Sequence, residues 1–243
     1  MLNAEKIQDL IHSKYPTACV RVFDVTDSTN TRAKEDKDLS LGIICARAQT
    51  AGRGRQGNSF CSPADTGLYM SLVIPITPME AYEFSLTAAA AVAAARAIGK
   101  LCHIDVGIKW VNDLYLNGKK VAGILTEADT NRVIVGIGIN VRTRSFPQEL
   151  KLAGSLDSQV CLSELAAAVA LEMFDMVFER KQDFISEYRS RSILIGKEIS
   201  YLSGGAEYRA KAVDIEDRGR LIVQDAFGSQ SALKSGEVRI IME

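Results

Sequence analysis

The sequence predicts an α+β protein with two domains, and two patterns support this prediction. Over residues 2–190, segments with the spacing of strands are mixed with segments whose apolar residues recur at helical spacing. After Gly196, short strand-like segments follow one another with glycine-containing turns between them. A mixed sheet flanked by helices and followed by a small β-barrel accommodates both patterns. We place the two domains at residues 1–193 and 194–243.

Local signals define the elements of the first domain in order. Apolar periodicity identifies helices and strands, and the turn dipeptide Asn117-Gly118 is typical of a hairpin. Pro78 favours a helix start at its position. The predicted helices are 2–14, one that follows N-cap candidates at 27–30 and ends near 37, about 77–100, and two pieces within 162–190. The predicted strands are 19–26, 41–48, 67–76, 104–116, 119–128 and 132–141.

The second domain consists of strand-like segments alone. Gly-Gly, Asp-Arg-Gly and Phe-Gly-Ser turns separate these segments, and this spacing is typical of a small barrel. The predicted strands are 197–202, 207–215, 219–225 and 231–241.

The composition argues against several classes of protein. The net charge is −1, so no overall positive field favours nucleic acid. The five cysteines lack metal-binding spacing and indicate buried thiols in a reducing cytoplasm, and the two histidines are too few for a histidine-based metal site. The N-terminus lacks the pattern of a signal peptide. The alanine-rich run 86–95 is too short to span a membrane. We therefore expect a cytoplasmic protein without nucleic-acid or membrane partners.

Residues 52–57, Gly-Arg-Gly-Arg-Gln-Gly, form the most distinctive motif. Glycine permits close backbone approach, and arginine presents a fork of donors that matches phosphate or carboxylate. The motif fits G-x-G-x-x-G, but residues 58–63 lack the helix start that dinucleotide and P-loop sites require. We interpret it as a mobile anion-binding loop after a strand. The alternative is an arginine-rich surface loop that binds nothing.

Lys109 stands in a second motif, Lys109-Trp110-Val111-Asn112-Asp113. A lysine beside an anionic intermediate stabilises the charge that grows there. The alternatives are a lysine that extends from an edge strand to solvent and an ordinary turn at Asn112-Asp113. Strand alternation puts Lys109 and Asn112 on opposite faces. The two residues share a pocket only if the strand bends or ends between them.

Two further segments each allow two interpretations. Ser28-Thr29-Asn30 either caps a helix or hydrogen-bonds a neutral polar group such as a urea. The glycine-rich strand Gly136–Asn140 either packs closely against other parts of the protein or leaves room for a flat ligand.

Together these motifs resemble the biotin–protein ligase family. They occur in the family's order and spacing, and the match is strongest over about residues 20–141. The matching segments are Asp27–Asn30, Gln49, Gly52–Gly57, Ser62-Pro63 with Gly67–Tyr69, Lys109–Asp113, Lys120–Leu125 with Glu127, and Gly136–Asn140. The resemblance implies a catalytic domain like those of class II aminoacyl-tRNA synthetases, followed by an SH3-like barrel. Because one short helix precedes residue 20, it implies the monofunctional type without a DNA-binding domain.

The resemblance also implies substrates, partners and site residues. Biotin and ATP are the substrates, Mg²⁺ accompanies the phosphates, and the acceptor is a lysine of a biotin carboxyl carrier protein. The oligomeric state stays open, with a homodimer as one option. The catalytic residues are Lys109, Arg55 and Arg53. The biotin-binding residues are Ser28, Thr29, Asn30, Gln49, Gly52, Arg53, Gly54, Arg55, Lys109 and Gly123. The residues that bind ATP or the adenylate are Arg53, Gly57, Phe60, Asn112, Lys120 and Asn140.

The chain departs from the family pattern at three positions. The family usually has tryptophan where Phe60 stands, which predicts weaker adenine stacking here. It usually has proline where Val111 stands, so any kink in that strand needs another cause. Arg239 is the candidate for the family's C-terminal arginine.

Three other functions remain as alternatives. A lipoate–protein ligase shares the fold and the acyl-adenylate chemistry, but its usual loop of two arginines and three glycines is absent. A non-catalytic biotin-binding sensor would use the same pocket without needing Lys109. An RNA-binding protein fits poorly with two arginines in the loop and a net charge near zero.

Overall fold

The computed structural model describes residues 2–77, 79–80, 85–129, 131–179, 183–203, 205–234 and 238–241. The helices are α1 Ala4–His12, α2 Thr29–Glu35, α3 Leu86–Cys102, α4 Leu162–Phe178 and α5 Phe184–Ser190. The strands of the first sheet are β1 Cys19–Thr26, β2 Gly42–Gln49, β3 Gly67–Ile74, β4 Gly107–Lys109, β5 Asp113–Leu116, β6 Lys119–Asp129 and β7 Arg132–Asn140. The strands of the second sheet are β8 Glu198–Ser203, β9 Ala206–Ile215, β10 Leu221–Gln224, β11 Gln230–Leu233 and β12 Val238–Ile240.

The first sheet has seven strands in the order β1-β2-β3-β7-β6-β5-β4. Strands β1 and β2 pair in parallel, and the other neighbours pair antiparallel. The second sheet has five antiparallel strands in the order β11-β10-β9-β8-β12. The predicted α+β class, with a mixed sheet flanked by helices and a C-terminal β-structure, is confirmed.

Side-chain alternation gives the first sheet two different faces. On one face Met70 and Leu72 of β3 join the main core with residues of α1, α3 and α4. On the other face Val73 of β3 packs with Ile134 of β7 and Ala33 of α2 in a small second cluster. Because α2 is short, it covers only part of this second face. The uncovered part is available for a site.

Helix α3 fixes the position of the sheet from the core side. Its alanines from Ala88 to Ala95 are all buried, with one valine among them. Small side chains let a helix approach its neighbours closely, and here α3 contacts both the sheet and α4. Helix α3 therefore packs closely against both of these neighbours.

Two predicted strands are in fact pairs of strands. Residues 104–116 form β4 and β5, which pair antiparallel with Lys109 opposite Asp113. The chain reverses over residues 110–112, where the Trp110–Val111 peptide bond is cis. No glycine or proline marks this reversal, so apolar spacing alone could not reveal it. Residues 231–241 contain β11 and β12 rather than one strand.

Three other predictions concern the start of α3, the burial of the cysteines and membrane-spanning helices. Within the predicted helix of about 77–100, residues 79–80 are helical and α3 begins at Leu86, whereas Pro78 and residues 81–84 lie outside the described residues. All five cysteines are free, but only Cys45 is buried and Cys19 is exposed, so the expectation of buried thiols was largely wrong. No helix within the described ranges has both the length and the apolar composition needed to span a membrane.

Candidate active site

A cavity of about 360 Å³ lies over the uncovered face of the first sheet. Its walls come from the start of α2, the segment 52–60, the turn between β4 and β5, and the facing residues of β6 and β7. Val238 and Arg239 of β12 complete the wall from the second sheet. The cavity thus collects segments that are far apart in the sequence. Its predicted lining residues are Ser28, Thr29, Asn30, Gln49, Arg53, Gly54, Arg55, Phe60, Lys109, Asn112, Lys120 and Gly123.

Glycines form the floor of the cavity and admit side chains of the protein. Gly123 of β6 and Gly138 of β7 are direct partners in the sheet. A Cβ atom at Gly138 would lie 2.5 Å from Cε1 of Phe60, and one at Gly136 would lie 2.3 Å from Oδ1 of Asn30. Close packing, rather than an open space, is therefore the reason for Gly136 and Gly138 in this structure.

Buried polar groups line one end of the cavity. Oε1 of Gln49 accepts from the Thr29 amide at 2.8 Å, and Nε2 of Gln49 donates to Ser62 at 2.8 Å. Ser28 occupies the N-cap position of α2 but makes no capping hydrogen bond with its side chain. Ser28 is thus the N-cap residue of α2 by position, but its side chain does not cap the helix. We name Ser28, Thr29 and Gln49 the polar end.

Asn30 is fully engaged within the protein. Its Oδ1 accepts from Ser71 Oγ at 2.5 Å. Its Nδ2 donates to the Leu125 carbonyl at 3.3 Å and to Glu127 Oε2 at 2.9 Å. Asn30 thus fixes the start of α2 against β3 and β6. It supports the polar end rather than offering unused donors to a ligand.

Residues 52–60, which we name the flap, fold into a small hairpin. The Gly54 amide donates to the Asn58 carbonyl at 2.6 Å, and the Phe60 amide donates to the Gly52 carbonyl at 2.8 Å. A Cβ atom at Gly52 would lie 2.4 Å from the Phe60 carbonyl oxygen, so only glycine fits this base of the hairpin. Gly57 adopts a φ of 79° at the tip. Neither Gly52 nor Gly57 lines the cavity.

The two flap arginines contact different parts of the sheet. Arg53 forms an ion pair with Glu127 of β6. Arg55 donates from Nη1 to Oδ1 of Asn112 at 3.2 Å. Both arginines also line the cavity. The flap is therefore a docked hairpin in this structure and not an unattached surface loop.

Lys109 faces the cavity from the end of the edge strand β4. Its Nζ lies 5.6 Å from the centroid of the Tyr115 ring, within the range of a cation–π interaction. The reversal after β4 brings Asn112 to the same cavity, as the sequence required for the two residues to share a pocket. Beside them, Lys120 Nζ lies 2.7 Å from Asp113 Oδ1.

Two titratable groups at the site have shifted pKa values. Burial raises the pKa of Glu127, but hydrogen bonds from Lys34 and Asn30 and the charge of Arg53 outweigh burial and leave the pKa below its ordinary value. Burial and, to a smaller extent, the charge of Asp113 raise the pKa of Tyr115 to about 12. Glu127 is thus an anion and Tyr115 a neutral ring near neutral pH.

Asn140 lies beside the cavity instead of on its wall. It follows Gly138 on the same face of β7 and donates from Nδ2 to the Gly154 carbonyl at 3.0 Å. Its Oδ1 is buried and has no partner among the described residues. The side chain therefore carries an unused acceptor next to the floor.

Sequence reasoning missed Tyr115 and Leu152 as lining residues. Tyr115 would have followed from recognising the β4–β5 hairpin. Leu152 lies in the long segment after β7, where no periodic pattern points to a site. In the described part of the chain, no group of three or more His, Cys, Asp and Glu side chains is arranged to hold a metal ion.

Comparisons with known proteins point to one family. A profile described as "Biotin/lipoate A/B protein ligase family" matches residues 22–143, and one described as "Biotin protein ligase C terminal domain" matches residues 194–240. The chain is 34% identical over 225 residues to the Bifunctional ligase/repressor BirA of Bacillus subtilis, covering 84% of this chain and 69% of that protein. It is 29% identical over 229 residues to the Biotin--[acetyl-CoA-carboxylase] ligase of Mycobacterium tuberculosis, covering 88% of this chain and 85% of that protein.

The fold is also similar to solved structures. The biotin protein ligase from Aquifex aeolicus in complex with biotin and ATP matches with a TM-score of 0.82 at 27% identity. The match covers 92% of this chain and 99% of that chain.

Proposed function

Because the chain belongs to the biotin/lipoate A/B protein ligase family, and within it to the biotin–protein ligases, we propose that it biotinylates a carrier protein in two steps. In the first step biotin and ATP give biotinyl-5′-AMP and pyrophosphate. In the second step biotin passes to a lysine of a biotin carboxyl carrier protein, and AMP leaves. The observation that carries the proposal is the convergence of Arg53, Arg55 and Lys109 on one cavity that also contains the polar end.

The first step needs alignment and charge neutralisation. The biotin carboxylate, with an ordinary pKa of about 4–5, is already ionised at neutral pH and needs no general base. One of its oxygens attacks the α-phosphorus of ATP, and the bond to the pyrophosphate oxygen breaks. Both reactants are anions, so cations must hold them in line. Lys109, Arg55 and Arg53, which all line the cavity, supply the positive charge.

The two ends of the cavity suit the two substrates. The buried hydroxyls of Ser28 and Thr29 and the half-buried amide of Gln49 match the donors and acceptors of the biotin ureido group. The Phe60 ring, which packs against Gly138, offers an aromatic surface for the flat adenine. Asn140 stays a proposed adenylate-binding residue, and its buried Oδ1 can accept from the adenine amino group only if the side chain turns toward the cavity.

Mg²⁺ is expected with the nucleotide, because phosphate oxygens are the hard ligands this ion prefers. Asp113 is the carboxylate on the described cavity wall, and it already pairs with Lys120. The donor set therefore favours an ion carried by the phosphates over one held in a protein cage. Bound there, Mg²⁺ would neutralise charge on the leaving pyrophosphate.

The flap would protect the adenylate from water. It carries Arg53 and Arg55 over the cavity and ends in Phe60 on the floor. We expect biotin with ATP to slow tryptic cleavage after Arg55, because a filled cavity gives both arginines anionic partners. An unchanged cleavage rate with both ligands bound would contradict this role.

In the second step the nucleophile is a lysine of the carrier protein, which is protonated at neutral pH. A lysine amine with a pKa of about 10.4 is almost entirely charged at neutral pH and must lose its proton before it attacks the acyl carbonyl. We propose Asp113 as the group that accepts this proton, because it lines the cavity beside Lys109 and Asn112. The carbonyl–phosphate bond then breaks and AMP leaves.

Release of pyrophosphate from ATP tests the proposed function directly. We expect release that requires biotin and that lipoate does not support, followed by transfer of biotin to a carrier domain. Release with lipoate instead would indicate a lipoate–protein ligase. Biotin binding without any pyrophosphate would indicate a non-catalytic sensor.

A further inference from the structure

The Glu127 carboxylate joins three segments of the protein. Its Oε2 accepts from Asn30 at 2.9 Å, and its Oε1 accepts from Lys34 at 2.6 Å and pairs with Arg53. Asn30 and Lys34 belong to α2, whereas Arg53 belongs to the flap. One carboxylate thus links the polar end, through Asn30, to the flap.

Burial makes Glu127 the fixed partner in this cluster. Its side chain is 15% exposed, whereas that of Arg53 is 42% exposed. Glu127 also belongs to strand β6, where it pairs with Ile134 of β7. The flap is a hairpin attached at its two ends. When the contact breaks, Arg53 is therefore the side that moves.

The Arg53 contact is the stronger of the two that dock the flap arginines. Arg53 meets an ionised carboxylate, and Arg55 meets the neutral amide oxygen of Asn112 at 3.2 Å. Hydrogen bonds between two charged groups are shorter and stronger than those to a neutral acceptor. Glu127 should therefore dominate the position of the flap before any ligand enters.

We propose that Glu127 latches the flap by holding Arg53 against the cavity wall. Glu127 is then a positioning residue that acts through Arg53 and touches neither substrate. Its consequence for catalysis rests on the proposed function, since a loosened flap would let the adenylate escape or meet water. The latch itself concerns the protein without ligand, so it can be tested separately.

The first experiment measures the rate of tryptic cleavage after Arg55 in the ligand-free protein. Glu127→Gln keeps an oxygen for Asn30 but removes the negative charge that holds Arg53. We expect cleavage to accelerate roughly tenfold, the change that loss of one charge-assisted hydrogen bond produces in an opening equilibrium. Asp129→Asn is the matched control on the same strand, because the described ion pairs of Asp129 are with Lys37 and Arg132, which lie outside the flap. Trypsin should cleave Asp129→Asn after Arg55 at the same rate as the parent.

The second experiment asks whether Glu127 acts through Arg53. In Arg53→Gln the flap should open as in Glu127→Gln, and adding Glu127→Gln to Arg53→Gln should change the rate no further. The same three proteins are then given biotin and ATP without acceptor. We expect each to lose the adenylate roughly tenfold faster than the parent, with no added loss in the double variant.

The proposal would be overturned if Glu127→Gln accelerated cleavage after Arg55 equally in the parent and in Arg53→Gln. Glu127 would then act through Asn30 and α2 alone. An unchanged cleavage rate in Glu127→Gln would also overturn it. If Glu127→Gln does not fold, the cleavage rate of Arg53→Gln is used instead, because Arg53 is exposed. An unchanged rate in that variant would overturn the proposal. If the parent forms no adenylate, the proposed function fails, while the cleavage experiment still tests the latch.

Discussion

At the scale of single residues, chemistry is concentrated in a few charged side chains with defined partners. Lys109 lies over Tyr115, Arg55 bonds Asn112, and Arg53 pairs with Glu127. Each cation is held by the protein in a place where it also faces the cavity. Such preorganised charges stabilise a growing anion without reorganising during the reaction.

Lys109→Ala should lower the rate of adenylate formation by about 10²–10³-fold, the usual cost of removing one preorganised donor to a growing charge. The unfolding free energy should change by less than about 1 kcal/mol, because Lys109 ends an edge strand. The measurements are biotin-dependent pyrophosphate release and urea denaturation. Lys100→Ala, on the exposed end of α3, serves as the control. Normal release by a folded Lys109→Ala protein would disprove the role.

The lowered pKa of Glu127 predicts how stability depends on pH. Between the folded pKa and the unfolded value of about 4.3, the unfolded chain binds more protons, so stability rises with pH in that window. The contribution is complete above the unfolded pKa and disappears as the pH falls through the folded pKa. In Glu127→Gln the unfolding free energy should therefore decrease less steeply than in the parent as the pH falls below about 5. Urea denaturation at several pH values measures this pH dependence. The same slope in variant and parent would contradict the lowered pKa of Glu127.

At the scale of elements, the site depends on close contacts between β7 and the segments above it. Gly136 receives Asn30, and Gly138 receives Phe60. Strands without side chains at these positions let the start of α2 and the base of the flap approach the sheet. The two glycines therefore shape the cavity by letting Asn30 and Phe60 pack directly against β7.

Gly136→Ala should destabilise the protein by about 1–3 kcal/mol, the usual cost of overpacking a fixed site. The new methyl would meet Asn30, which cannot move because Ser71 and Glu127 hold it. Gly99→Ala is the control, since the nearest atom is 3.9 Å from its Cβ and α3 is helical there. That change should stabilise by up to about 1 kcal/mol. Equal stabilities of the two variants in urea would refute the packing argument.

At the scale of the whole molecule, the two sheets meet at a polar junction next to the cavity. Trp110 donates from Nε1 to the Gly219 carbonyl at 2.8 Å and is buried. Arg189 bonds the Ile215 carbonyl and lies 2.7 Å from Asp217. The junction positions β12, whose Val238 and Arg239 line the cavity. The boundary between residues 193 and 194 remains our proposal for where one domain ends.

Trp110→Phe should loosen this junction. It leaves the Gly219 carbonyl without its buried donor, at a cost of about 1–3 kcal/mol in unfolding free energy. Hydrogen exchange in residues 216–220 should accelerate, while exchange in the central strands β3 and β7 should follow only the change in global stability. Tyr208→Phe, on a half-exposed ring of β9, is the control. Exchange at 216–220 equal to that of the parent would refute the link.

Local sequence patterns predicted most elements of the fold and identified the motifs. Strand 19–26 was predicted with its observed ends, and the loop at 52–57 and the cluster at 109–113 were identified as candidates. These features are local, because apolar periodicity and glycine or arginine content act over a few residues. The family resemblance then supplied substrates that no local pattern could name.

The way in which these segments meet follows from long-range contacts that local patterns do not reveal. The reversal between Lys109 and Asp113 contains no glycine or proline, and it brings Asn112 to the side of Lys109. Asn30 was predicted to bind biotin, and in the structure its side chain forms hydrogen bonds with Ser71, Leu125 and Glu127. Contacts between residues some forty to a hundred positions apart depend on strand order and register, and the chain encodes these only through the packing of the entire core.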